Sequence, residues 1–125
     1  MSTIKANTLL HSDGSTTTQP SIPALDTRMA KAWVWYSGVS GVISNSYNVS
    51  SVTDVGTGHF ATNFTTAMAN VNYAFSYCGG EYNGSETTFQ NGSAAPTTTS
   101  HRLQMKNAAG SVTDRTYVAG IFFGS

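Results

Sequence analysis

The sequence predicts an all-β fold, a small sandwich or barrel of antiparallel strands preceded by a short extended N-terminal segment. Three observations carry the prediction. From Ala32 onward, short runs of alternating apolar and polar residues recur between Gly and Asn turn signals at near-regular spacing, the pattern of sandwiches and barrels. Only one stretch reads as a helix. The six Phe and six Tyr supply the bulky side chains of a core, each contributing about 1.5–3 kcal/mol when buried.

Residues 1–29 differ from the rest and are read as a separate N-terminal segment, with residues 30–125 as the β-domain. Ile4 to Leu10 alternates with period two, with Ile4, Ala6, Thr8 and Leu10 on one side, which predicts a strand. Ser12-Asp13-Gly14-Ser15 reads as a turn, because Asp-Gly tolerates positive φ, and Thr16 to Thr18 as a short return. Pro20 and Pro23 then interrupt regular pairing. Pro23 to Lys31 is the helix candidate, with Pro23 at its first position and Leu25, Met29 and Trp33 at i, i+4, i+8.

Strands are expected at Ala32–Ser37, Val42–Val49 and Ser51–Val55, then at His59–Thr65 after the tight Gly56-Thr57-Gly58 connection. Val71–Cys78, Ser100–Asn107 and Ser111–Phe123 complete the set, separated by a long polar stretch from Gly79 to Pro96. The inward set is Phe60, Phe64, Tyr73, Phe75, Val34, Val49, Val52 and Leu103. In a chain so small and so rich in Ser and Thr this core is marginal against a backbone ordering cost of roughly 1–2 kcal/mol per residue, and oligomerisation would supply further burial.

Charge is scarce. Charged residues make up 10% of the chain and formal net charge is zero, against about 25% in ordinary globular proteins. Ser and Thr, 34 of the 125 residues, take their place. Six scattered basic residues do not make the clustered cationic surface that captures nucleic acid. No apolar run approaches the ~20 residues that span a bilayer, and no secretory signal is visible, so membrane insertion is not expected. Cys78 alone forms no intrachain disulfide and reads as a small buried strand residue. His11, His59 and His101 lack metal-ligand spacing, and no cofactor is expected.

Nothing reads as an enzyme. Glycoside hydrolysis needs two carboxyl groups roughly 5–9.5 Å apart. The nearest acidic pair, Glu81 and Glu86, flanks Tyr82-Asn83-Gly84-Ser85, which a solvated loop explains. Nucleophile-elbow and phosphate-loop patterns are missing. Two features are suited to binding. Alternation places Trp33 and Trp35 on one face of a strand and Val34 and Tyr36 on the other. The Gly79–Pro96 stretch offers Glu81, Tyr82, Asn83, Phe89, Gln90 and Asn91, and Tyr, Ser, Gly and Asn are the residues of adaptable recognition loops.

A string of motifs runs through the sandwich: Ala30-Lys31-Ala32-Trp33-Val34, Ser46-Tyr47-Asn48-Val49-Ser50-Ser51-Val52-Thr53-Asp54, Gly56-Thr57-Gly58, Asn63-Phe64-Thr65-Thr66-Ala67-Met68 and Asn72-Tyr73-Ala74. It resembles the C-terminal module of tail-fibre proteins of marine bacteriophages, cyanophages among them. The match covers residues 30–75, and residues 1–29 more loosely through Ile4-Lys5 and Asp13-Gly14.

The resemblance implies a homotrimeric β-sandwich in the virion, made in the host cytoplasm, with residues 1–29 as the attachment or trimerisation segment and residues 30–125 as the sandwich. Its partners would be other tail or baseplate proteins and a host surface glycan or lipopolysaccharide. In that family the position of Tyr36 is usually aromatic and that of Trp35 usually polar, which puts Val34 and Tyr36 inward and Trp33 and Trp35 outward. An outward tryptophan pair serves a subunit interface, a sugar-stacking platform or local packing. The interface is expected first, with Leu25 and Met29 beside it. The family usually has Asn at Val55 and an apolar residue at Thr62. The Gly79–Pro96 stretch lies beyond the family-like part, where receptor choice is expected. A structural virion protein without receptor binding, such as a head fibre, decoration protein or tail-assembly adaptor, is the alternative.

Overall fold

Ala30–Tyr36 forms the first strand, β1, and alternation decides its faces: Ala32, Val34 and Tyr36 are buried while Trp33 and Trp35 face out. The remaining strands are β2 (Ile43–Tyr47), β3 (Val49–Gly56), β4 (His59–Phe64), β5 (Ala74–Gly80), β6 (Thr87–Asn91), β7 (Ser100–Asn107) and β8 (Tyr117–Phe123). One turn of helix, α1 (Pro23–Asp26), precedes them. This computed structural model describes residues 1–16, 22–26, 28–85, 87–92 and 94–124.

The strands make two four-stranded antiparallel sheets, in the orders β2-β1-β8-β5 and β3-β4-β7-β6. The expected all-β, two-sheet architecture is therefore what the chain adopts. The first sheet contributes Val34, Tyr36, Val118 and Phe122 to the core and the second Phe60, Phe64, Leu103 and Met105, with Met68 and Tyr73 from the β4–β5 connection. Phe64 meets Phe122 edge-on at 5.0 Å and Tyr36 meets Phe60 at 5.6 Å, offset geometries that aromatic quadrupoles favour.

Asn48 turns the chain from one sheet to the other. Its φ is 54°, a left-handed conformation that Asn tolerates better than most residues. Its side chain fixes the corner, donating to the Lys31 and Thr66 carbonyls at 2.9 and 3.1 Å and accepting from the Thr66 N–H at 2.7 Å. At the β3–β4 turn the positive φ values fall on Gly56 and Gly58, so Val55 is spared the strain its β-branch would bring. Thr62 is buried in the core.

Several expectations need correction. Ile4–Leu10 is not a strand in this chain: it is exposed and, among the described residues, unpaired, although the turn after it closes through Gly14 N–H to the His11 carbonyl at 2.8 Å. The return at Thr16–Thr18 falls largely outside the described residues, as does Pro20. The helix ends at Asp26 rather than Lys31, so Leu25, Met29 and Trp33 share no helical face, and all three are exposed. The Val71–Cys78 strand begins three residues later, after Asn70 caps a turn through Asn72 N–H. The last strand starts at Tyr117, not Ser111.

Gly79–Pro96 is not one loop, because β6 lies within it and pairs with β7. Cys78 is exposed, since it shares the outward side of β5 with Ser76. Phe75 is 37% exposed because its strand is the edge of the sheet.

Candidate functional site

The two outer faces of the sandwich differ in chemistry. That of β3-β4-β7-β6 is polar: Asn63 donates to the Ser51 and Thr53 hydroxyls at 3.0 and 2.9 Å, and Gln104 bonds His59 at 3.0 Å. Arg102 and Lys106 lie on the same side of β7 as Gln104, alternating with the buried Leu103 and Met105. On the other sheet the four strands carry a single charge, Lys31. Its outer face shows Trp33, Trp35, Tyr47, Tyr117, Ile121 and Phe123. Trp33 and Trp35 are 36% and 41% exposed, outward as expected. Exposed aromatic patches of this kind mark interaction surfaces.

At one end of this face three rings stack. Trp35 lies parallel to Tyr117, with centroids 5.2 Å apart and planes 7° apart. Tyr82 continues the stack on Tyr117 at 5.0 Å and 21°. Tyr82 follows the end of β5 and is 79% exposed, so one face of the stack remains open to solvent.

Glu81 sets the position of Tyr82. Its carboxylate accepts from the Thr116 N–H at 3.1 Å and from the Thr116 hydroxyl, with the Arg115 guanidinium 4.0 Å away. That ties the turn after β5 to the residues entering β8, beside Tyr117. Asn83 accepts from the Ser85 N–H at 3.0 Å and the Ser85 hydroxyl at 2.7 Å, an Asx turn. Gly84, with φ 81°, closes it through its N–H to the Glu81 carbonyl at 3.3 Å.

The six residues expected to contact a receptor therefore do not share one surface. Glu81, Tyr82 and Asn83 cluster at the aromatic end of the first sheet. Phe89 points into the sandwich, opposite the buried Met105 and stacked on Tyr77 at 6.2 Å. Asn91 is on the same side of β6 and bonds His101 Nε2 at 2.9 Å. Gln90 is exposed on the polar outer face, opposite Gln104. Glu86 lies outside the described residues. Trp35 and Tyr117 join the group as a platform. Of these two only the tryptophan stands out in the sequence, because Tyr82 and Tyr117 lie 35 positions apart and carry no local signal of their contact.

A second polar cluster is buried. His101 is fully enclosed, with Nδ1 3.0 Å from the Tyr77 hydroxyl and Nε2 3.0 Å or less from Asn91 Oδ1. Those partners suit a neutral imidazole that accepts from Tyr77 and donates from Nε2. Burial lowers the His101 pKa to about 4 and holds that of Tyr77 well above its usual value. Burial likewise pushes the Tyr73 hydroxyl up to about 12, keeping it a donor to the Thr97 and Ser100 carbonyls at 3.1 and 3.2 Å. His101 touches the rings of Phe75 and Phe122 and works as core, not as an accessible acid or base.

Among the described residues, no group of three or more His, Cys, Asp or Glu is placed to hold a metal ion. No helix among them is long and apolar enough to cross a membrane. No protein family, curated protein or solved structure gives a match to this chain.

Proposed function

We propose that this chain is a bacteriophage tail-fibre or fibre-tip protein that attaches the particle to a host surface glycan by adhesion, without catalysis. The Trp35–Tyr117–Tyr82 stack carries the reading: a rigid aromatic platform with one ring face open and hydroxyl and amide groups beside it. Such a surface suits the apolar face of a neutral pyranose. The resemblance of residues 30–75 to phage fibre modules supports the setting, and the near absence of charge on this sheet favours an uncharged ligand.

An aromatic contact contributes roughly 0.5–1.5 kcal/mol, so a single site is weak and several copies on one particle multiply it through effective concentration. The test is binding of the purified protein to arrayed bacterial surface polysaccharides and lipopolysaccharides. Tyr82→Ala is expected to lower binding about tenfold at the upper end of that contact energy, with unchanged thermal stability. Binding by the wild type that Tyr82→Ala leaves intact would remove the stack as the receptor site.

A structural virion role without a receptor is the second reading, favoured by the breadth of the uncharged face beyond the stack, through Trp33, Tyr47, Ile121 and Phe123. Wild-type protein that binds no polysaccharide on the array would favour it.

A further inference from the structure

The first sheet has an open edge at β5. All seven residues, Ala74–Gly80, pair with β8 in unbroken register, and among the described residues no strand pairs with the other side. Exposed edges invite pairing with another chain, and proteins blunt them with charge, proline, bulges or short length. The other three edges here show such devices: β3 carries Asp54 and two register shifts, while β2 and β6 are five residues each. β5 has no charge, proline or bulge.

Phe75 shows what is missing there. It sits on the inward side of β5 opposite the buried Phe122, yet is 37% exposed because the sheet stops. A strand laid beyond β5 would cover it.

The chain carries a segment of matching length and pattern. Ile4–Leu10 is also seven residues, with Ile4, Ala6, Thr8 and Leu10 on one side. It stands exposed, Ile4 at 90%, and among the described residues it pairs with nothing in its own chain. We infer that Ile4–Leu10 of one copy adds as a fifth strand to the β5 edge of a second copy, with its Ile4, Ala6, Thr8 and Leu10 side turned inward so that one of these residues covers Phe75. Main-chain hydrogen bonds to the edge hold it and alternate side chains set its register. The contact is heterologous, so a closed ring of copies leaves no β5 edge open. It does not depend on the glycan reading.

The test uses the full chain, measuring mass by light scattering and amide protection by hydrogen exchange. The wild type is expected at no less than twice the 13.2 kDa chain mass, with residues 4–10 and 74–80 protected together. Two variants are expected to return to 13.2 kDa and to lose both protections. One is the double variant Ile4→Asn, Leu10→Asn, which alters only exposed side chains. The other is Ser76→Lys, which puts a charge on the edge. A monomeric wild type, protection of residues 4–10 without a rise in mass, or a double variant that keeps the oligomer would each overturn the inference.

Discussion

Acid should destabilise this protein through His101, and the size of the effect follows from its surroundings. The imidazole is buried between Tyr77 and Asn91, and burial holds its pKa at about 4 against an ordinary 6.5. Between those two values the unfolded chain takes up a proton that the folded chain refuses. Stability therefore falls as pH drops from 6.5 towards 4, and this contribution is flat above and below that window. The ceiling is about 3 kcal/mol. Water reaching the cluster past Asn91, which is exposed at the rim of β6, will trim it. Even about half would matter to a domain whose total stability is of the order of 5–15 kcal/mol.

Urea denaturation at a series of pH values gives the profile. His101→Gln keeps a polar side chain that cannot titrate, so its profile should be flatter across the window whatever its absolute stability. His11 and His59 remain in that variant, which isolates the buried ring. An unchanged slope in His101→Gln, or an NMR titration of His101 with its midpoint near 6.5, would refute the reasoning.

Asn48→Ala should cost about 1–3 kcal/mol, because alanine resists positive φ and leaves the Lys31 and Thr66 groups short of partners. Asn48→Gly, which keeps the conformation, should lose less, and urea denaturation of both variants checks the order. Gly120→Ala would place a Cβ 2.6 Å from the Tyr77 ring. Overpacking of this kind costs about 1–3 kcal/mol, visible as a lower urea midpoint with unchanged far-UV dichroism. Glu81→Ala should leave the sandwich folded but free Tyr82 from its place over Tyr117. Re-ordering one side chain costs about 0.5–1.5 kcal/mol, so binding on the polysaccharide array should fall severalfold, and undiminished binding would show that the tether is dispensable.

Much of the fold is legible in the sequence because period-two alternation and burial coincide. Phe60 and Phe64, and Leu103 and Met105, lie on the inward sides that their spacing dictates, and Val34 and Tyr36 share one face, as alternation requires. β6 is harder to read, since Gly79, Gly80, Gly84 and Gly92 surround a run whose only large apolar residue is Phe89. In Ile4–Leu10 the alternation is plain, but a pattern of side chains specifies how a segment can pair and says nothing of where its partner is. The aromatic stack depends on β5 and β8 lying side by side, a relation set by sheet topology. The makeup of the Gly79–Pro96 stretch points to this region, but not to the part that Glu81 plays in it as a tether for the ring beside it.

The order of strands also determines how this domain would bear a pull. Ala30 opens β1, which lies between β2 and β8, and it sits at the Phe123 and Ala74 end of the sheet. Tyr82 stands at the opposite end, beyond the Gly80–Tyr117 pair. A tether entering at Ala30 and a ligand held at Tyr82 would load the sheet along its strands. The hydrogen bonds on both sides of β1 would then be sheared as a group rather than peeled one at a time, and an anchor hung this way resists tearing far better than one pulled across its strands.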